Sequence, residues 1–338
     1  MVKIAILDDY ADAALTLADW SPATRLAEVQ VFTRHLSDHE IATALQPFEV
    51  ICTLRERTAL PSQLLAQLQN LKAIVVTDAH VRTIDFAAAT DNGVLILEGK
   101  APPDLPTAPE STAEFAWGLM LATTRHIPAE VQRLRQGEWQ KSLGVPLAGK
   151  TLGLVGLGKI GARMARYAQA FDMNVLAWSQ NLTDETARNA GAQRVAKDEL
   201  FRRSDIVSIH YVLSERSRGL VGKADIETMK PTAYLINTSR GPIVNEIALI
   251  EALREKRIAG AGLDVFDQEP LPKDHPFLLL DNVTASPHLG FVTEPSMRRF
   301  YAGAALAAAS YLRGQPENIL NAAGSAKIGT GDGSRTSL

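Results

Sequence analysis

Short runs rich in Val, Ile and Leu alternate along the chain with longer stretches in which apolar positions recur at helical spacing. Residues 2–7, 29–32, 50–52, 73–76 and 94–97 read as strands, with helices at 11–18 and 61–69 between them. These strands are apolar on both faces, as a sheet covered twice requires. A stiff segment follows at 99–109, with four prolines between Pro102 and Pro109. Ser111 then reads as the cap of a long apolar helix, and Glu114 three residues later completes a capping box. A Gly- and Pro-containing loop at 143–150 precedes a second alternating series. Its strands fall at 151–155, 174–178, 206–209, 233–237, 261–265 and 283–285, and a helix follows at 297–312. Alternation of this kind predicts α/β architecture, with two doubly wound parallel-sheet domains in series. Residues 322–338 are rich in Gly, Ser and Thr without apolar period, which predicts a disordered tail.

Composition narrows the function classes. The 338 residues carry 35 Lys+Arg and 38 Asp+Glu, a net charge of −3 that argues against a dedicated nucleic-acid binder. No apolar run approaches the ~18 residues that span a bilayer, and the N-terminus does not read as a secretory signal. The single cysteine, Cys52, rules out an intrachain disulfide and a Cys-based zinc site. A cytoplasmic, metal-independent protein without membrane partners is the expectation. His35 and His39 stand four apart but lack a third ligand, and a solvated face is the simpler reading.

Candidate chemistry begins at Gly156-Leu157-Gly158-Lys159-Ile160-Gly161, a G-x-G-x-x-G between an apolar strand and a helix. Glycines there permit a tight turn and close approach of a pyrophosphate to the amides at the helix start. Strand before and helix after give the motif the context it needs. About 20 residues on, an NAD site usually carries Asp or Glu for the ribose 2′-hydroxyl. Here Ser179-Gln180-Asn181 stands at that point, with neither a carboxylate to repel a 2′-phosphate nor an arginine to hold one. NAD and NADP both remain open.

Three further segments, 237–241 (Asn-Thr-Ser-Arg-Gly), 262–270 (Gly-Leu-Asp-Val-Phe-Asp-Gln-Glu-Pro) and 286–290 (Ser-Pro-His-Leu-Gly), complete a recognisable set. In order and spacing, with the glycine motif, they resemble the D-isomer-specific 2-hydroxyacid dehydrogenases, a phosphoglycerate dehydrogenase-like family. The resemblance covers about residues 1–320 and is densest over 149–290. It implies a flavodoxin-like substrate-binding domain (1–104 with about 292–320) and a Rossmann NAD(P)-binding domain (105–291). It further implies an oxidoreductase that interconverts a 2-oxo acid and a D-2-hydroxy acid, acting as a homodimer. By the same resemblance Arg240 binds the substrate carboxylate and polarises the carbonyl, His288 is the acid/base, and Glu269 supports the imidazolium. A forked guanidinium, a ring that titrates near neutral pH and a neighbouring carboxylate suit those tasks. Thr238, Tyr211 and Asp264 fall near the cofactor on this analogy, although an aromatic after a strand, as at Tyr211, is more often packing.

The first domain departs from the pattern. Arg55-Glu56-Arg57-Thr58 resembles a substrate-domain segment and nominates Arg55 as a substrate contact, with a surface ion-pair residue as the equal alternative. Relatives commonly carry glycine after the next strand, whereas this chain reads Thr77-Asp78-Ala79-His80 and has no glycine through Asp85. Asp78, Ala79 and His80 are therefore candidate substrate contacts, and the altered loop points to a larger or differently charged 2-oxo acid. Two other functions are compatible with the fold: a non-catalytic dinucleotide-binding corepressor or scaffold, and a phosphite-type dehydrogenase. Glu269, an acid beside the histidine, argues against formate-type relatives, which carry an amide there.

Overall fold

A computed structural model of the chain describes residues 1–77 and 81–321. The proposed contacts Asp78, Ala79 and His80 and the tail at 322–338 lie outside the described residues. The chain divides into two compact units, one of Met1–Ala108 with the segment from Thr293 onward, the other of Pro109–Val292.

The first unit holds a five-stranded parallel sheet made of β1 (Val2–Ile6), β2 (Ala27–Val31), β3 (Val50–Cys52), β4 (Ala73–Val76) and β5 (Leu95–Glu98). Its order is β2-β1-β3-β4-β5. β3 and β4 are buried along their whole length, which is why the sequence shows unbroken apolar runs there. The expected helix at 11–18 shrinks to Ala14–Leu17. Asp12 takes a left-handed φ of +51°, and the Asp9 carboxylate accepts from the amides of Ala13 and Ala14, both at 2.8 Å, so the helix starts only there. The helix Glu294–Leu312 packs on this unit against β3, β4 and β5. Its Tyr301, 2% exposed, donates from the hydroxyl to Asp9 at 2.7 Å. Beyond it the chain returns to the sheet edge, where Glu98 N donates to Asn318 O and Leu320 N to Ile96 O.

The second unit holds a seven-stranded parallel sheet of β6 (Thr151–Val155), β7 (Asn174–Trp178), β8 (Gln193–Arg194), β9 (Ile206–Ile209), β10 (Tyr234–Asn237), β11 (Gly260–Leu263) and β12 (Val283–Ala285). The order β12-β11-β10-β9-β6-β7-β8 reverses between β6 and β9, and ligands of open α/β sheets bind outside the strand ends at such a reversal. One apolar cluster lies on each side of this sheet. The first gathers Phe201, Leu235 and Leu253; the second gathers Met120, Leu154 and Met164.

Three elements of this unit differ from expectation. Ser111 is not the cap of its helix: Glu110 holds that position with helical φ/ψ, and no side chain caps the end. Chain that is already helical at Glu110, with Ala113 N donating to its carbonyl at 2.8 Å, moves the start one residue earlier. The carboxylate of Glu110 is engaged instead by the Arg163 guanidinium at 2.8 Å. A helix over Ile127–Arg135 and the two-residue strand β8 were not anticipated. That helix buries none of its residues, so burial left no mark on its composition.

Candidate active site

The glycine turn joins β6 to the helix Lys159–Ala170. Gly156 has φ +99°, and a Cβ there would sit 2.2 Å from the carbonyl oxygen of His210. At Gly161 a Cβ would lie 2.2 Å from Gly156 O, so this residue lets the helix approach the turn. Gly158 differs: its φ is ordinary and nothing lies within 4 Å of a Cβ built on it. Open space at the helix start, with no side chain capping the first-turn amides around Lys159 and Ile160, leaves donors for an outside anion.

Around this turn stand the residues that end the neighbouring strands. Ser179 follows β7, and the ring of Trp178 stacks on Tyr211 beyond β9 with centroids 6.3 Å apart. Tyr211 thus packs on an aromatic neighbour as well as edging the Gly156 turn. His210 is half-buried, its Nδ1 out of contact with solvent; desolvation pushes its imidazole down to about 4, so the ring stays neutral, with Nε2 2.8 Å from Ser208 Oγ. Thr238, just past β10, has a buried hydroxyl without a hydrogen-bond partner. An unpaired buried hydroxyl costs about 1–3 kcal/mol, a cost that a ligand contact would relieve. Together with the uncapped amides and the open face of Gly158, this hydroxyl fits a dinucleotide.

The turn after β10 carries Arg240. Asn237 shapes it from both ends, its Oδ1 accepting from Ser239 N at 3.0 Å and its Nδ2 donating to Arg240 O at 3.0 Å. Ser239 Oγ donates to Ile209 O at 2.8 Å and ties the turn to β9. Arg240 itself is extended and donates through one terminal nitrogen to Ser239 O at 2.7 Å. Sequence reasoning gave Asn237 no part, although Asn two residues before Ser in a turn is a readable signal of side chain to backbone bonding.

Beyond β11 and β12 two acids organise His288. Glu269 Oε2 lies 2.6 Å from His288 Nδ1, and its Oε1 accepts from Phe266 N at 2.9 Å. The histidine occupies a left-handed φ of +52° and meets the Phe291 ring edge-on at 5.4 Å. Asp264 is fully buried and accepts from Ser286 Oγ at 2.7 Å and from the amides of Leu289 and Gly290 at 2.8 Å each. Burial raises its carboxyl above the usual range despite these bonds. Asp264 is thus turned toward the loop that bears His288, and Ser286, which sequence reasoning left without a role, joins the same anchor.

In the other unit, Arg55 follows β3 with a left-handed φ of +57°, its amide donating to Thr77 Oγ1 at 3.0 Å and its guanidinium 5.7 Å from the Phe300 ring. His35 Nδ1 lies 3.6 Å from Asp8, and His39 Nε2 is 3.4 Å from Ser37 Oγ, so the two rings face different neighbours.

Comparison with known proteins agrees with this geometry. The family described as "D-isomer specific 2-hydroxyacid dehydrogenase, NAD binding domain" matches residues 117–290, which hold the glycine turn, Arg240, Glu269 and His288. The chain belongs to that family. Among other members, the glyoxylate reductase of Aeropyrum pernix is 37% identical over 76% of this chain and 78% of its own. The D-3-phosphoglycerate dehydrogenase of Methanocaldococcus jannaschii is 35% identical over 95% of this chain, which spans only 60% of that longer protein. A solved phosphoglycerate oxidoreductase from Vibrio cholerae superposes with a TM-score of 0.85 at 36% identity, covering 93% of this chain and all of its own. Like other members of the D-2-hydroxyacid dehydrogenase family, the chain combines two parallel sheets with covering helices, and its second unit is a nicotinamide-dinucleotide domain.

Proposed function

We propose that the protein is a D-2-hydroxyacid dehydrogenase that reduces a 2-oxo acid, and oxidises the matching D-2-hydroxy acid, at the carboxyl ends of β6 to β12. The observation that carries this reading is the 2.6 Å contact between Glu269 and His288 Nδ1, which leaves Nε2 as the working nitrogen. A bound nicotinamide supplies or accepts the hydride. Arg240 binds the substrate carboxylate and draws electron density from the carbonyl. His288 donates a proton from Nε2 to the oxygen as the alcohol forms, and recovers it in the reverse direction. Glu269 holds the ring so that Nδ1 keeps its proton and Nε2 faces outward. Asp264 anchors the 286–290 loop, and Gly156, Gly158 and Gly161 with Lys159 and Ile160 cradle the pyrophosphate. Arg55 is a further substrate contact, with its left-handed backbone fixing where the guanidinium emerges.

On the ribose side Ser179-Gln180-Asn181 carries no carboxylate to repel a 2′-phosphate and no arginine to hold one, so the cofactor is NAD or NADP. The protein acts in the cytoplasm as a homodimer. Along the helix Ile127–Arg135, Ile127, Val131 and Leu134 form an exposed apolar stripe, and Trp139 in the segment after it is 74% exposed; a second copy would cover the stripe. Among the described residues no helix is long and apolar enough to cross a membrane. A panel of 2-oxo acids with NADH and NADPH in parallel, following loss of reduced nicotinamide, tests the reading. Cofactor binding without turnover of any 2-oxo acid would instead favour a dinucleotide-binding scaffold. Turnover of phosphite alone would indicate the phosphite-type reaction.

A further inference from the structure

Two segments of the second unit hold the proposed chemistry, the Arg240 turn and the loop that carries Glu269, and they touch away from the reacting groups. Gly241 lies so near the loop that a Cβ on it would sit 2.1 Å from the carbonyl carbon of Phe266 and 2.5 Å from Asp267 N. From Gly241 the chain runs through one short helical turn into the helix Glu246–Arg254, whose N-cap Asn245 accepts from Ala248 N at 2.9 Å. Glu246, the first residue of that helix, reaches across to the loop with both oxygens. Oε2 accepts from Asp267 N at 3.3 Å, and Oε1 meets His275 Nε2 at 3.2 Å.

The histidine has a defined sense. Phe277 N donates to His275 Nδ1 at 3.3 Å, so the proton of the neutral ring resides on Nε2 and points at Glu246. Stacking fixes the same corner, with the His275 and Phe277 rings 5.1 Å apart and Phe277 and Phe266 6.2 Å apart. Asp267 and His275 lie on either side of Glu269 in the chain, and Phe266, next to Asp267, donates its amide to Glu269. One carboxylate therefore pins the Glu269 loop on both sides and fastens it to the segment that begins at Arg240. Charged groups facing this corner are Asp267, whose carboxyl is raised by burial and then by Glu246, and Arg218.

We propose that Glu246 is a positioning residue, which acts through the 267–275 loop to set the placement of Glu269 against His288 and of both relative to Arg240. The inference rests on the dehydrogenase reading for its kinetic consequence but not for its geometry. Glutamine at 246 keeps the volume yet presents an NH2 to one of the two donors, so only one pin survives. Alanine removes both.

The experiment compares the full-length protein with Glu246→Gln and Glu246→Ala. Steady-state rates are measured across pH with the best 2-oxo acid of the panel, NADH affinity by nicotinamide fluorescence, and the Nδ1 proton of His288 in 15N-histidine spectra, assigned by its loss in His288→Asn. Expected are a kcat lowered about tenfold in Glu246→Ala and less in Glu246→Gln. The alkaline limb of the rate profile moves to lower pH, NADH affinity stays within about twofold, and the His288 resonance shifts or broadens. Wild-type kcat, pH profile and His288 resonance in Glu246→Gln would overturn the proposal, as would a loss confined to NADH affinity. Should Glu246→Ala fail to fold, Glu246→Gln decides. Should the wild type turn over no 2-oxo acid, the dehydrogenase reading fails, and the His288 resonance still answers whether Glu246 positions the pair.

Discussion

His288 and His210 show how one side-chain type is given opposite duties by its surroundings. His288 is engaged by a carboxylate, whereas His210 stands beside a serine hydroxyl next to the glycine turn, where desolvation favours the neutral ring. Replacing His288 by alanine should lower the rate of 2-oxo acid reduction by about 10²–10⁴-fold while NADH affinity is unchanged. Stopped-flow reduction together with a fluorescence titration checks both halves, and a variant that keeps most of the wild-type rate would remove His288 from the mechanism. His210 is tested through stability. Its folded value of about 4 lies below the ordinary value near 6.5, so the unfolded chain takes up the proton first as pH falls. Stability from this residue is complete above that ordinary value and is lost progressively down to about pH 4, a span worth on the order of 3 kcal/mol. Thermal melts of His210→Gln should therefore show a flatter dependence on pH over this window than the wild type; parallel curves would contradict it. The motif residues were legible from the sequence because each recurs in a fixed local pattern. The pairing of Glu246 with His275 was not, because it joins residues 29 apart and neither lies in a glycine or histidine motif.

Elements were readable where burial imposed a pattern and unreadable where it did not. All five strands of the first sheet fall within two residues of their apolar runs. β3 and β4 are buried throughout, whereas the edge strand β2 exposes Glu28 and Gln30 and so departs from the expectation of strands apolar on both faces. β8, with two exposed residues, gave no such signal. The helix start at Glu110 was missed because Ser at 111 and Glu at 114 match a capping pattern, whereas the backbone is already helical at Glu110 and no side chain caps the end. Within the glycine turn the three positions have separable tasks. Gly161→Ala should lower the melting temperature, because its methyl group meets the Gly156 carbonyl. Gly158→Ala should keep the melting temperature and weaken NADH binding by about tenfold or more, since the methyl group enters open space at the helix start. Equal behaviour of the two variants in melts and titrations would refute this division. For the helix Ile127–Arg135, Leu134→Glu should convert the proposed dimer to a monomer without changing the melt of the isolated subunit. Sedimentation velocity at several protein concentrations reads the outcome.

At the scale of the whole molecule, the two units differ in how the chain builds them. Pro109–Val292 is contiguous, while the first unit draws on both sides of it. Residues 109–292 expressed alone should fold cooperatively and bind NADH, whereas residues 1–108 alone should show no cooperative melt, because Tyr301 and the strand-edge bonds from 318–321 are missing. Calorimetry of both fragments tests this, and a sharp transition in 1–108 would count against it. The Tyr301–Asp9 bond spans 292 positions and the bond from Ile96 N to Asn321 spans 225. During synthesis, therefore, the dinucleotide unit can reach its native state while the opening third of the polypeptide still waits for its last helix. Residues 1–108 are thus made before the second unit and completed only after it, an interval in which a holdase chaperone would be expected to bind them.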